Sequence, residues 1–136
     1  MPRFPILALA ALALSFGGPA TAQMSADVHF QHGAYGTMVS GTISGDDYMD
    51  YRLGANAGQQ MFVDLTVSDS NGHGTVYFNI LPPNSTGEAL YNGSIYGNTA
   101  TVTLPTSGTY TIRVYHMGND RDAGRTTAFN LDLSIQ

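Results

Sequence analysis

The sequence contains no cysteine, no tryptophan and no lysine, and charged residues make up only 11% of it. Without cysteine there is no disulfide framework, no thiolate nucleophile and no thiolate zinc site, so a domain built from this chain holds together by burial and hydrogen bonding. The five positive charges are all arginine, and ten acidic groups oppose them. That balance repels phosphate, which disfavours nucleic acid and anionic membranes and suits a basic partner, though acidity also serves solubility alone. Helical patterning is also missing: no capped segment carries apolar residues at helical spacing over three turns.

One long apolar run is present, from Ile6 to Phe16, preceded by Met1-Pro2-Arg3 and followed by Ala20-Thr21-Ala22. A positive start, a short apolar stretch and a small-x-small site predict a signal peptide over residues 1–22, cleaved before Gln23. The run is too short for a membrane anchor, and no cysteine follows the cleavage site to take a lipid. The expected product is a periplasmic or secreted protein comprising one domain, residues 23–136. Arg3 departs with the signal, leaving four arginines against ten acids, a net charge of −6.

The rest of the chain alternates with period two. Met61, Val63, Leu65 and Val67 form one set; Val76, Phe78 and Ile80 another; Ala100, Val102 and Leu104 a third. Tyr110, Ile112, Val114 and His116 follow, then Phe129, Leu131, Leu133 and Ile135. Shorter strands are expected around Val28 and Phe30, Val39 to Ile43, and Met49 to Leu53. Each pattern suits a half-buried strand, and clusters such as Ser44-Gly45-Asp46-Asp47 and Pro105-Thr106-Ser107-Gly108 mark the turns. The fold class is therefore all-β: a single antiparallel β-sandwich of about eight short strands.

Catalytic signatures are absent from the pattern. Ser94, within Gly93-Ser94-Ile95-Tyr96-Gly97, misses the nucleophile-elbow spacing and lacks the helix that motif requires. His29, His32, His73 and His116 show no zinc spacing and read as solvated. Asp46, Asp47 and Asp50 form the densest acidic cluster, but Asx-turn chemistry explains it more simply than a calcium site, which needs six to eight converging oxygens. The protein is not expected to be an enzyme or to carry a cofactor or metal.

Two features point to binding. Tyrosines sit in polar segments, including Tyr48 and Tyr51 within Gly45-Asp46-Asp47-Tyr48-Met49-Asp50-Tyr51, where they can serve as rigid amphipathic anchors. The segment from Gly118 to Arg125 holds two of the four arginines left after the signal, Arg121 and Arg125, as a loop made to meet a carboxylate or phosphate would. Asp–Arg pairing within that loop is the alternative.

Ser40 to Tyr48, Ala55-Asn56-Ala57-Gly58-Gln59, Phe78 to Pro83, Asn92-Gly93-Ser94, Leu104 to Tyr110 with Arg113-Val114-Tyr115, and Asn119-Asp120 together resemble the bacterial proteinaceous lysozyme inhibitors of the g-type and i-type groups. The run from Leu104 to Val114 is also similar to pre-peptidase C-terminal sandwiches, which leaves a non-catalytic envelope module engaging glycan or protein as the alternative function. The resemblance implies an exported inhibitor that fills the lysozyme cleft with polar loops. It implies a contact surface of Tyr48, Tyr51, Ser107, Tyr110, Asn119, Asp120, Arg121 and Arg125. Ser107 and Tyr110 match the S-G-x-Y element of the i-type group, with Tyr110 equally readable as a core residue or strand-end strut, and Tyr48 matches the tyrosine loop of the g-type group. The g-type motif R-N-D-x-R has Gly118 and Asp122 in place of its arginines, with Arg121 and Arg125 nearby. Lysozyme class and oligomeric state stay open at this point.

Overall fold

A computed structural model describes residues 23–136; the expected signal peptide, 1–22, lies outside the described residues. The strands are β1 (Gln23–Asp27), β2 (Gly36–Ser44), β3 (Tyr48–Ala55), β4 (Gln60–Ser70), β5 (Val76–Leu81), β6 (Tyr91–Asn92), β7 (Thr99–Thr103), β8 (Gly108–His116) and β9 (Thr126–Ile135). They form a five-stranded sheet, β1-β3-β8-β5-β6, facing a four-stranded sheet, β2-β9-β4-β7. The result is the antiparallel-rich sandwich that the alternation predicts, with one exception: β1 runs parallel to β3.

Parity along each strand decides what enters the core. Ile112 and Val114 on β8, Phe78 and Ile80 on β5, and Phe129 and Leu131 on β9 are fully buried and interdigitate between the sheets. Three expectations are corrected. Val28 and Phe30 are not a strand of their own; Val28 N–H donates to Arg52 O at 2.8 Å, extending the course of β1, and both side chains pack against the core margin. Val67 is 43% exposed because the register of β4 slips between Val67 and Asp69, a bulge that turns the strand end outward. Two one-turn helices interrupt the strands, α1 (Gly93–Tyr96) and α2 (Gly118–Asp122), each too short to leave a helical period in the sequence.

Two tyrosines expected at the contact surface lie inside. Tyr110 shares the parity of Ile112 and is fully buried; its hydroxyl donates to Thr106 O at 2.6 Å, fastening the β7–β8 loop as a tyrosine corner does. Tyr51 shares the parity of Leu53, is 3% exposed, and meets Phe129 edge to face at 6.3 Å. Its hydroxyl is buried with no hydrogen-bond partner, and burial raises its pKa. Neither ring offers a face to a partner.

The backbone of Gly41 lies directly under that hydroxyl. A Cβ there would stand 2.5 Å from Tyr51 Oη and 2.7 Å from Phe129 Cζ. Gly41→Ala is expected to destabilise the fold by about 1–3 kcal/mol through overpacking. Tyr51→Phe, which removes an orphaned buried hydroxyl, is expected to stabilise it by about 1 kcal/mol. In the double variant the two changes should be non-additive, with Tyr51→Phe recovering part of the Gly41→Ala loss. Urea midpoints at unchanged slope measure all three; strict additivity would refute the contact.

Candidate functional site

Three connections meet at one end of the sandwich: the β2–β3 turn, the β4–β5 loop, and the segment from Met117 to Arg125 that contains α2. They are joined by hydrogen bonds rather than by apolar packing. Gly45 N–H donates to Arg125 O at 2.9 Å, and Ser44 Oγ pairs with Thr126 Oγ1 at 2.7 Å. Thr126 N–H donates to Asn71 Oδ1 at 2.9 Å, tying in the third connection. Gly45 (φ +57°) takes the left-handed turn, and a Cβ there would sit 3.3 Å from Gly124 Cα, so glycine also permits the close approach of the β2–β3 turn.

Asp120 is the centre of this end. It is 1% exposed, and its carboxylate accepts from His73 N–H at 3.0 and 3.1 Å and from Thr75 N–H at 2.7 Å. These bonds favour the ionised form and hold the carboxyl below its ordinary titration range. The contact role expected for Asp120 is therefore corrected: it clasps the β4–β5 loop to α2 and does not face solvent. Gly72 leaves the room this needs, since a Cβ there would collide with Asp120 Oδ1 and lie 2.8 Å from Arg125 Cγ.

His116, at the end of β8, is 2% exposed, which corrects its expected solvation. Its Nδ1 lies 3.0 Å from Gly45 O and its Nε2 2.7 Å from Thr127 Oγ1. A carbonyl only accepts, so Nδ1 carries a proton, and Nε2 bonds the Thr127 hydroxyl. The imidazole thereby pins the β2–β3 turn from beneath. His29, His32 and His73 are exposed.

Tyr48 opens β3 just below the turn. The Arg113 guanidinium lies 4.3 Å from the centre of its ring and makes a two-pronged pair with Asp50 at 2.9 and 3.0 Å. The bond to Asp50 is the main reason the arginine pKa is raised. Because the pair is partly buried and bidentate, it fixes the guanidinium as a platform for the tyrosine. It also commits Asp50, so the Asp46–Asp47–Asp50 cluster has one carboxylate fewer to offer a cation.

The residues expected to form one surface divide between two ends. Tyr48, Asn119, Arg121 and Arg125 gather at the end just described, with Asn119, Arg121 and Arg125 exposed and Tyr48 half-buried. Arg121 pairs with Asp122 at 3.2 Å on the surface, the within-loop alternative raised by the sequence, and such an exposed pair contributes little. Ser107 lies at the far end of the nine-residue β8, about 30 Å away at roughly 3.3 Å per residue. It is exposed, but its Oγ accepts from Ala57 N–H at 2.9 Å and links the β3–β4 and β7–β8 loops. Gly118, standing where the g-type motif has arginine, has φ +65°, a conformation that resists a side chain.

No catalytic constellation emerges. Ser94 does follow a strand into a helical turn, contrary to expectation, but its Oγ donates to Asn92 Oδ1 at 2.7 Å as part of the α1 cap. Among the described residues, no group of three or more His, Cys, Asp or Glu side chains converges. The fold and this end define a class of protein: a small β-sandwich that presents pre-ordered polar loops for recognition.

Comparison with known proteins agrees. The periplasmic inhibitor of g-type lysozyme from Aeromonas hydrophila superposes with a TM-score of 0.74 at 30% identity, covering 83% of this chain and 96% of that one. An inhibitor of g-type lysozyme from Escherichia coli (strain K12) is 29% identical over 125 residues, 92% of this chain and 91% of the relative. The pre-peptidase C-terminal domain of a Bacillus anthracis collagenase superposes with a TM-score of 0.57 at 14% identity, covering 85% of this chain and 97% of that domain, a likeness of fold alone. No family model matches the chain. The chain belongs to the family of periplasmic inhibitors of g-type lysozyme.

The lowered pKa of Asp120 gives this end a pH dependence. A carboxyl depressed in the folded state contributes stability that is complete above the ordinary carboxylate range and is lost as pH falls through it towards the folded value. Asp120→Asn should lower the melting temperature at neutral pH, because an amide nitrogen cannot accept from the two loop N–H groups. It should also flatten the acid limb of the stability profile below about pH 4. Melting curves for both proteins across that range test this; parallel acid limbs would refute the clasp.

Proposed function

We propose that this protein is exported to the periplasm, loses residues 1–22, and inhibits g-type lysozyme by seating its three-loop end in the enzyme's cleft. The observation that carries the reading is the gathering of Tyr48, Asn119, Arg121 and Arg125 at one end whose backbone is already locked by Asp120 and His116. Relatives covering nearly the whole chain are inhibitors of g-type lysozyme. Inhibition of this kind is occupancy: no bond is made or broken, and the protein is not an enzyme.

The physical chemistry fits such a partner. Arginine and amide donors can engage the carboxylates of a glycosidase cleft, and the loops lose little conformational entropy because they are ordered beforehand. A protein of net charge −6 after export is drawn towards a basic enzyme, and more strongly at low salt. The g-type group is favoured over the i-type, because Ser107 is engaged with Ala57 N–H and Tyr110 is buried. Arg121 and Arg125 take the part that arginines at positions 118 and 122 play in the g-type motif.

The purified protein without residues 1–22 is expected to suppress lysis of a Gram-positive suspension by g-type lysozyme at micromolar concentration or below, leaving i-type and c-type enzymes active. Arg121→Ala combined with Arg125→Ala should raise the inhibition constant at least about tenfold at an unchanged melting temperature. Unimpeded lysis by the g-type enzyme would contradict the reading, and an unaltered constant in the double variant would remove the arginines from it.

A further inference from the structure

The loop end is narrow. Its segments, 44–47, 71–75 and 117–125, offer fewer residues than the roughly 20–30 per side that a standard protein interface takes. A partner seated there therefore also lies against one of the two flanking sheet faces, and the two faces differ in chemistry.

On the five-stranded sheet, strand register puts Tyr48 opposite Tyr115, and Tyr115 opposite Tyr77. These three half-buried side chains form a row across β3, β8 and β5, immediately below the loops. Each ring is held by its neighbours. Arg113 lies over Tyr48, the Tyr115 hydroxyl donates to Asn79 Oδ1 at 2.7 Å, and the Tyr77 and Tyr115 rings stand 6.4 Å apart. The outer face of the four-stranded sheet places Asp64 directly opposite Asp132, a like-charge pairing, with the exposed Met38 beside Asp132 at the half away from the loops and mostly short hydroxyl and amide side chains nearer to them. Its one aromatic, Phe62, lies near the start of β4, at the end away from the loops.

We propose that the lysozyme-binding surface continues from the loops onto the outer face of the five-stranded sheet along the row Tyr48–Tyr115–Tyr77, which packs against one wall of the enzyme's saccharide cleft. The inference rests on the proposed function and extends it to residues outside the loops. Tyrosine is the side chain that interface hot spots favour, and rings fixed before binding cost little to order. A ligand cleft is walled largely by apolar and aromatic groups with a few polar ones, a surface that a tyrosine row complements. The opposed carboxylates of the other face have no such complementarity.

Tyr77 separates this inference from the parent reading, because it stands two strands away from Tyr48 and outside every loop. Tyr77→Ala is expected to raise the inhibition constant for g-type lysozyme at least tenfold while the protein stays folded at the assay temperature, as its melting curve checks. Tyr77→Arg, which adds bulk without burying it, should do the same. Thr66→Arg, on the outer face of the four-stranded sheet, should inhibit as the parent protein does. Parent-like inhibition by both Tyr77 variants, alongside impairment in the Arg121/Arg125 double variant, would overturn the inference and leave the loop reading intact. An equal loss in Thr66→Arg would overturn it in favour of the other face. No inhibition by the parent protein would overturn both.

Discussion

The recognition end depends on one buried carboxylate. Asp120 accepts backbone N–H groups from residues 45 and 47 positions earlier in the chain, so a side chain in the β8–β9 connection determines where the β4–β5 loop sits. Apolar packing does little there, since apart from Met117 and Ala123 the surrounding loops carry only glycine and polar or charged side chains. A charge-assisted clasp is the remaining means of holding such segments together in a protein without cysteine. His116 completes it from the opposite side, tying the β2–β3 turn to β9 through the Thr127 hydroxyl.

This arrangement explains how so small a protein can present polar loops that are nonetheless ordered. The core between the sheets supplies stability, and the hydrogen-bonded cap converts it into a fixed disposition of the exposed Asn119, Arg121 and Arg125. Tyr48 is supported in another way, by the Arg113–Asp50 pair on the sheet surface. Loops and sheet face thus belong to one rigid construction, and binding draws on order established at folding.

The sandwich was legible because parity repeats along β5, β8 and β9, and along β4 as far as its bulge at Val67. Parity was also the signal that should have reassigned two tyrosines. Tyr51 falls in step with Leu53, and Tyr110 with Ile112, so both belong inside whatever their resemblance to family motifs. Asp120 carried no local sign of its role, because its partners are distant in sequence. The separation of Ser107 from Asn119 follows simply from the length of β8, yet a motif read as a string places both in the same stretch. The parallel β1 escaped because alternation from Met24 to Phe30 marks a strand but carries no sign of which neighbour it pairs with or in which direction. The tyrosine row depends on register between strands, which no single strand reveals.

Amide hydrogen exchange of the protein with and without g-type lysozyme tests the central claim most directly, because it reports which end is covered. The account predicts new protection confined to residues 44–48, 71–75 and 117–125, together with the adjoining strand ends of β3, β5 and β8. Protection centred instead on residues 56–59 and 104–107, around Ser107, would place the partner at the opposite end and contradict it.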